Sequence, residues 1–179
     1  YETYLNCGMI RYFEGKYENA ADYFTLAKEK APQSPEAWGY LGQAWYWMGR
    51  QAESQNALRQ ASQLAANQIQ NNIDPTDKAM MTALRALWLA VLEQPQEALA
   101  AINSVLPAPN DSHLKEQLEI LAQAIPIFHL AKQDDLAFVW LDRYLKNGGN
   151  LSALTREPFL ASLRTDPRYL RIVAPYQNH

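Results

Sequence analysis

An internal repeat narrows the possible folds of this chain more than any other feature of its sequence. Residues near the N-terminus recur 34 positions later, so that Gly8 is repeated as Gly42 and Gly15 as Gly49. The recurring positions are Tyr4, Cys7, Gly8, Gly15, Ala20, Phe24 and Ala27, which return as Trp38, Leu41, Gly42, Gly49, Ser54, Leu58 and Ala61. A period of this length is typical of arrays in which one small unit stacks on its own copies. The repeat therefore predicts several similar units that share one continuous core.

The composition indicates a folded chain with enough length for a short array. Hydrophobic residues make up 48% of the 179 positions and aromatic residues 11%, which excludes a disordered or low-complexity segment. The length accommodates about four to five units of the repeat. Cys7 is the single cysteine, so it forms no internal disulfide, and its place in the repeat predicts a small buried thiol.

Each of the first two units is predicted to be a pair of antiparallel helices, with Gly15 and Gly49 in the turns. Gly8 is expected to face Ala20 and Ala27, because two helices approach closely only where small residues leave room. The predicted helices span about 2–13, 17–30, 35–48 and 51–66, the last extended to position 71 or 72.

The second half of the chain carries weaker copies of the same pattern. Asp74 and Pro75 are suited to a helix start, Pro107 and Pro109 close a third pair, and residues 110–112 are suited to cap a fourth. The later helices are predicted from 75 to about 92, around 97–102, and over about 113–131 and 134–146, before a stop at Gly148 and Gly149.

The motif Trp38-x-x-Leu41-Gly42-x-x-Trp45 resembles the start of the tetratricopeptide-repeat pattern. The resemblance implies an all-α fold, a right-handed superhelical array of antiparallel helix pairs. The whole chain, 1–179, is then one domain with repeats at about 1–34, 35–72, 74–109 and 111–148 and a capping segment at 150–174. The residues that the resemblance assigns to repeat structure are Tyr4, Gly8, Ala20, Phe24, Ala27, Pro32, Trp38, Leu41, Gly42, Trp45 and Ala61.

Two acidic-Pro units follow the last predicted pair, Glu157-Pro158 and Asp166-Pro167. Each is suited to start a short helix, because the acidic side chain accepts from free amides while proline occupies the first turn. Together with Arg168 they resemble the closing segment that follows tetratricopeptide arrays in bacterial signalling proteins and transcription regulators. The resemblance implies a terminal cap and a larger bacterial regulatory protein as the parent.

Candidate catalytic and metal-binding residues are few. The three histidines, at 113, 129 and 179, have no second ligand at helical spacing, and His129 is interpreted as a structural residue. The acidic pairs Asp74 with Asp77 and Asp134 with Asp135 lie at predicted helix starts, where capping explains them. Phosphate-binding and serine-nucleophile motifs do not occur. The sequence therefore predicts no enzyme activity, no metal and no cofactor.

In the family that the chain resembles, the first helix of each pair lines a concave groove. The candidate partner-binding residues of that groove are Leu5, Met9, Tyr12, Gln43 and Tyr46. The lysine, arginine and asparagine set with which some members grip a C-terminal carboxylate is missing. The prediction is a protein-interaction or sensing module that binds a peptide or a partner helix.

Two alternatives stay open from the sequence. In the first, the array is a structural module that packs against its own parent or pairs with a second copy, its groove is filled by the C-terminal segment, and Tyr12, Tyr46 and Trp47 pack between helices. In the second, it is a sensor that encloses a small molecule. A net charge of −3 argues against nucleic-acid binding, and no apolar run is long enough for a membrane span. The cytoplasm is the favoured compartment, with the periplasm as the alternative for a parent with a span before Tyr1.

Overall fold

The computed structural model describes residues 1–71, 74–108 and 114–177, and all regular structure in these ranges is helical. The all-α prediction is therefore confirmed. The predicted cap at 110–112, Pro109, His113, His179 and the repeat limits at 72, 109 and 111 lie outside the described residues.

Eight long helices form four consecutive pairs. They are α1 (Glu2–Phe13) with α2 (Tyr17–Lys30), α3 (Pro35–Trp47) with α4 (Gln51–Gln70), α5 (Pro75–Val91) with α6 (Pro95–Asn103), and α7 (Leu118–Leu130) with α8 (Asp134–Lys146). A short 3-10 turn, Leu114–Gln117, precedes α7. The long form of α4 confirms the predicted extension of that helix beyond residue 66.

Residues 150–177, here named the C-terminal segment, add shorter elements. These are α9 (Leu151–Arg156), α10 (Pro167–Val173) and the 3-10 turns Pro158–Leu160, Leu163–Thr165 and Ala174–Tyr176. Glu157 and Asp166 cap the elements that follow them, as predicted, since each carboxylate accepts from a backbone N–H two residues later. The helix α9 was not predicted.

One turn conformation closes all four pairs. Its central residue has a positive φ: 74° at Gly15 and Gly49, 60° at Glu93 and 61° at Lys132. In each case the next N–H reaches back to the carbonyl five residues earlier, as Lys16 does to Arg11. In the last two pairs a charged residue occupies the position of the glycine. The same turn is therefore present although no glycine marks it in the sequence.

The interior of each pair repeats a small residue and then a large one after this turn. The fifth residue after the turn residue has a small side chain, and the ninth has a large one. The small residues are Ala20, Ser54, Ala98 and Ala137, the large ones are Phe24, Leu58, Ile102 and Leu141, and none is more than 1% exposed. The small side chain lets the two helices approach, and the large one fills the adjoining space.

Glycines in the first helices meet these large residues directly. A Cβ added at Gly8 would lie 2.4 Å from the Phe24 ring, and one at Gly42 would lie 2.7 Å from Leu58. The hydroxyl of Ser54 donates to the Gly42 carbonyl at 2.8 Å, as expected for helices in close contact. Cys7, predicted to be buried, is only half-buried.

The pairs are joined through their first helices. Helix α1 contacts α3, α3 contacts α5, and α5 contacts α7; we name α1, α3, α5 and α7 the first-helix layer. The second helix of each pair contacts the first helix of the next. One apolar core runs from α4 to the C-terminal segment, and a smaller one joins the first two pairs.

Candidate functional site

The five predicted groove residues lie in the first-helix layer but differ in exposure. Leu5, Met9 and Tyr46 are half-buried, whereas Tyr12 is 2% exposed and Gln43 is 3% exposed. Neighbouring side chains cover the last two, so neither offers a surface to a partner in this conformation. Partner binding through these residues stays a prediction.

Four aromatic residues from the first two pairs form a cluster that we name the aromatic socket: Tyr12, Tyr17, Tyr46 and Trp47. The Trp47 Nε1–H donates to the Tyr12 hydroxyl at 3.0 Å. The Tyr17 ring stacks on the Trp47 ring, with centroids 5.9 Å apart, and the Tyr46 ring meets Trp47 edge-on at 5.3 Å. These contacts fix the orientation of each ring.

The socket holds Phe159 of the C-terminal segment. The Phe159 ring centroid lies 5.1 Å from that of Trp47 and 5.5 Å from that of Tyr46, and Phe159 is buried. The C-terminal segment therefore occupies the end of the first-helix layer where α1 and α3 finish. Sequence reasoning left open whether a groove would be open or filled, because the ring and the socket are distant along the chain.

Local hydrogen bonds hold Phe159 in position. The Glu157 carboxylate accepts from the Phe159 N–H at 3.1 Å. The Arg164 guanidinium donates to the carbonyls of Glu157 and Leu154, at 2.8 Å and 3.3 Å. These hydrogen bonds restrain the turn that carries Phe159. Less conformational entropy is therefore lost when the ring packs into the socket.

Glu157 lies in an apolar setting beside the socket. Burial raises the pKa of its carboxyl to about 7, against the opposing effects of the Phe159 N–H and the Arg164 charge. The pKa values of Tyr12 and Tyr17 are also raised, mainly by burial and further by the Glu157 charge. A proton on Glu157 therefore favours the docked segment.

An open cleft of about 350 Å³ separates the turn between α1 and α2 from the C-terminal segment. Tyr17 and Glu14 line one wall, and Arg156 and Arg164 line the other. Glu14 already pairs with Arg11 and Lys16, at 2.7 Å and 2.9 Å, so it contributes little net negative charge to the cleft. The surface beside the socket is accordingly aromatic and basic.

The first-helix layer also contains N–H donors with no acceptor among the described residues. They are Gln43 Nε2 on α3 and Arg85 Nε and Trp88 Nε1 on α5. Gly39 makes room for Trp88, since a Cβ at Gly39 would lie 2.2 Å from the indole ring. A buried donor without an acceptor costs free energy. Helices α3 and α5 therefore contain three N–H groups whose hydrogen-bonding capacity the described residues do not use.

A second polar cluster joins the C-terminal segment to the last pair. His129 Nδ1 lies 2.6 Å from Asp134 Oδ1, and His129 Nε2 lies 2.8 Å from Ser162 Oγ. Next to it, Arg168 donates to Asp135 at 2.6 Å. Asp134 and Asp135 lie in the first turn of α8, as predicted, but neither caps the helix by a side-chain hydrogen bond, and their carboxylates contact His129 and Arg168 instead. Sequence gave no signal for Ser162, which lies 33 positions after His129.

None of the described helices is both long and apolar enough to cross a bilayer. Comparison of the chain with known protein families and with curated proteins finds no match.

Proposed function

We propose that this chain is a tetratricopeptide-type scaffold, a right-handed superhelical array that binds a protein partner within a larger regulatory protein. Support comes from the recurring turn and the recurring small and large residues of the four pairs. The order of contacts, first helix to first helix and second helix to the following pair, is also that of a stacked array.

The observation that carries the proposal is the seating of Phe159 between Tyr46 and Trp47. It indicates the kind of side chain that the first-helix layer accepts: an aromatic ring presented by a short helical turn. Aromatic anchors in fitted sockets supply much of the binding energy of protein interfaces. The proposed partner is therefore a peptide or helix with an aromatic anchor, which replaces or extends the C-terminal segment.

A second candidate function is a purely structural module, in which the segment is a permanent cap. The contacts of Arg168 with Asp135 and of His129 with Ser162 favour it, since both hold the segment to the last pair. Self-association belongs to the same class, and exposed apolar residues such as Ile10 and Val139 offer surfaces for it. Sedimentation at several concentrations tests self-association, because a strict monomer excludes it.

A peptide supplied in trans separates the two candidates. The full chain with Phe159→Ala is titrated into a fluorescent peptide of residues 155–168, and binding is followed by anisotropy. A functional socket binds this peptide and ignores the same peptide with alanine in place of its phenylalanine. Tyr46→Ala in the same background weakens the binding, whereas Leu26→Ala, far along α2, leaves it unchanged. Equal signals from both peptides, or no binding of either, contradict an interaction surface at the socket.

A further inference from the structure

We propose that Ser162 is a nucleophile activated by His129 and Asp134, and that it accepts acyl groups from carboxylic esters. The three side chains form one continuous hydrogen-bonded line, carboxylate to imidazole to hydroxyl, with separations of 2.6 Å and 2.8 Å. Both distances fall within the reach expected of a nucleophile, its base and the group that orients the base.

The chemistry of the three groups determines which atom donates and which accepts in each hydrogen bond. An ionised carboxylate only accepts hydrogen bonds, so the contact with Asp134 requires the proton of neutral His129 on Nδ1. Nε2 then carries the lone pair and accepts from the Ser162 hydroxyl. This is the tautomer in which imidazole is able to remove the proton of serine as general base.

The fold brings the three residues together from separate elements. His129 is in the last turn of α7 and Asp134 begins α8, so the turn at Lys132 places them side by side. Ser162 lies between two 3-10 turns of the C-terminal segment, and its carbonyl accepts from the Thr165 hydroxyl at 2.8 Å. Arg168 anchors the same segment to α8.

Exposure is distributed as such a reaction requires. The His129 side chain is 16% exposed, so its ring is held by its surroundings, whereas Ser162 is exposed and open to a substrate.

The proposed reaction has two balanced steps. Ser162 Oγ bonds to the ester carbonyl carbon while His129 Nε2 takes the hydroxyl proton, and the resulting tetrahedral adduct expels the alcohol, which receives that proton. Water then attacks the acyl-serine with His129 again as base, and the carboxylic acid leaves as serine is restored. Asp134 stabilises the imidazolium formed in each step.

A fluorophosphonate probe and 4-nitrophenyl acetate test the proposal on the full chain. We expect one phosphonyl adduct, located at Ser162 by peptide mass spectrometry, and release of nitrophenolate above the buffer rate. Ser162→Ala abolishes both signals. His129→Gln lowers the labelling rate by about 100-fold, the usual contribution of a general base. Asp134→Asn lowers it as well, because an amide no longer fixes the Nδ1–H tautomer.

The matched control is Ser104→Ala, which removes an exposed serine whose hydroxyl donates to the Ala101 carbonyl and has no hydrogen bond to a histidine among the described residues. This variant keeps the adduct and the esterase rate of the parent chain. Circular dichroism of each variant verifies that it is folded. Absence of an adduct at Ser162 in the folded parent chain, or labelling of Ser162 at an equal rate in folded His129→Gln, overturns the proposal and leaves the cluster as a structural clamp.

Discussion

The residue at the centre of each turn determines how much backbone strain that turn contains. Glycine adopts a positive φ freely, but for other residues this conformation costs about 1 kcal/mol or more. Glu93 and Lys132 adopt it without being glycine, and their turns have the same hydrogen bonds as those at Gly15 and Gly49. The third and fourth pairs therefore contain strain that the first two lack.

Replacing Lys132 with glycine is expected to stabilise the protein by about 0.5–1 kcal/mol, the strain relieved less the added freedom of the unfolded chain. Urea unfolding followed by circular dichroism measures the change in the free energy of unfolding. The reverse substitution, Gly49→Ala, is the matched control and should destabilise by about 1 kcal/mol. A Lys132→Gly variant less stable than the parent would contradict this account of the turn.

The contact between Gly39 and Trp88 gives a second prediction at this scale. A methyl group at Gly39 collides with the fully buried indole ring, so Gly39→Ala should destabilise the protein by about 1–3 kcal/mol. A double-mutant cycle with Trp88→Leu checks the cause by thermal unfolding. The alanine should cost markedly less in the Trp88→Leu background, and identical costs in both backgrounds would rule out the indole as the obstacle.

Among the elements, those with strong local signals were predictable and the others were not. The start of α5 followed from Asp74, whose side chain accepts from a backbone N–H as expected of a cap, and Ser34 caps α3 in the same way. Helix α9 has a similar cap in Asn150, but six residues are too few for a detectable apolar period. The spacing of Glu157 and Asp166 predicted short elements without indicating what they pack against.

The docking of the C-terminal segment should depend on pH through Glu157. Its pKa of about 7 in the folded protein exceeds the ordinary glutamate value, so folding takes up a proton. The resulting stabilisation is fully present below about pH 4.5 and is lost as the pH rises through about 7. The loss should amount to about 1–3 kcal/mol for this partly buried group.

Glu157→Gln tests this dependence, because an amide keeps a capping oxygen but does not ionise. Urea unfolding of both proteins at about pH 5 and about pH 8 measures it, and the parent chain should lose more stability than the variant. Hydrogen bonds from Arg168 lower the pKa of Asp166, so Asp166 adds stability as the pH rises, and it does so in both proteins. The difference between the two proteins therefore isolates Glu157, and equal pH dependence would contradict the raised pKa.

At the scale of the whole molecule, sequence predicted what is local and missed what is distant. The first two helix pairs followed from the repeat and its glycines, and the last two from helix-start residues and prolines, although Glu93 and Lys132 replace glycine in their turns. The meeting of Phe159 with Trp47 depends on the path of the entire chain, and no local pattern encodes it. For the same reason Gln43 was expected to face a groove although its neighbours bury it.

Phe159 is expected to link the stability of the two ends of the molecule. Its socket includes Tyr12 and Tyr17 of the first pair, so Phe159→Ala should raise amide hydrogen exchange in α1 and α2 by about tenfold or more. Mass spectrometry of exchanged peptides locates the change. Leu170→Ala removes an exposed apolar residue of the same segment and is the control. Faster exchange confined to residues 150–177 would show that the ends are independent.

The seating of Phe159 near the start of the chain also has a mechanical consequence. An array held only by contacts between neighbouring units stretches like a soft spring, because each interface yields slightly. In the array that we propose, a load that pulls the second helix pair away from the C-terminal segment must first draw the ring away from Trp47. We therefore expect the molecule to resist small forces and to extend in a single step once that ring is released.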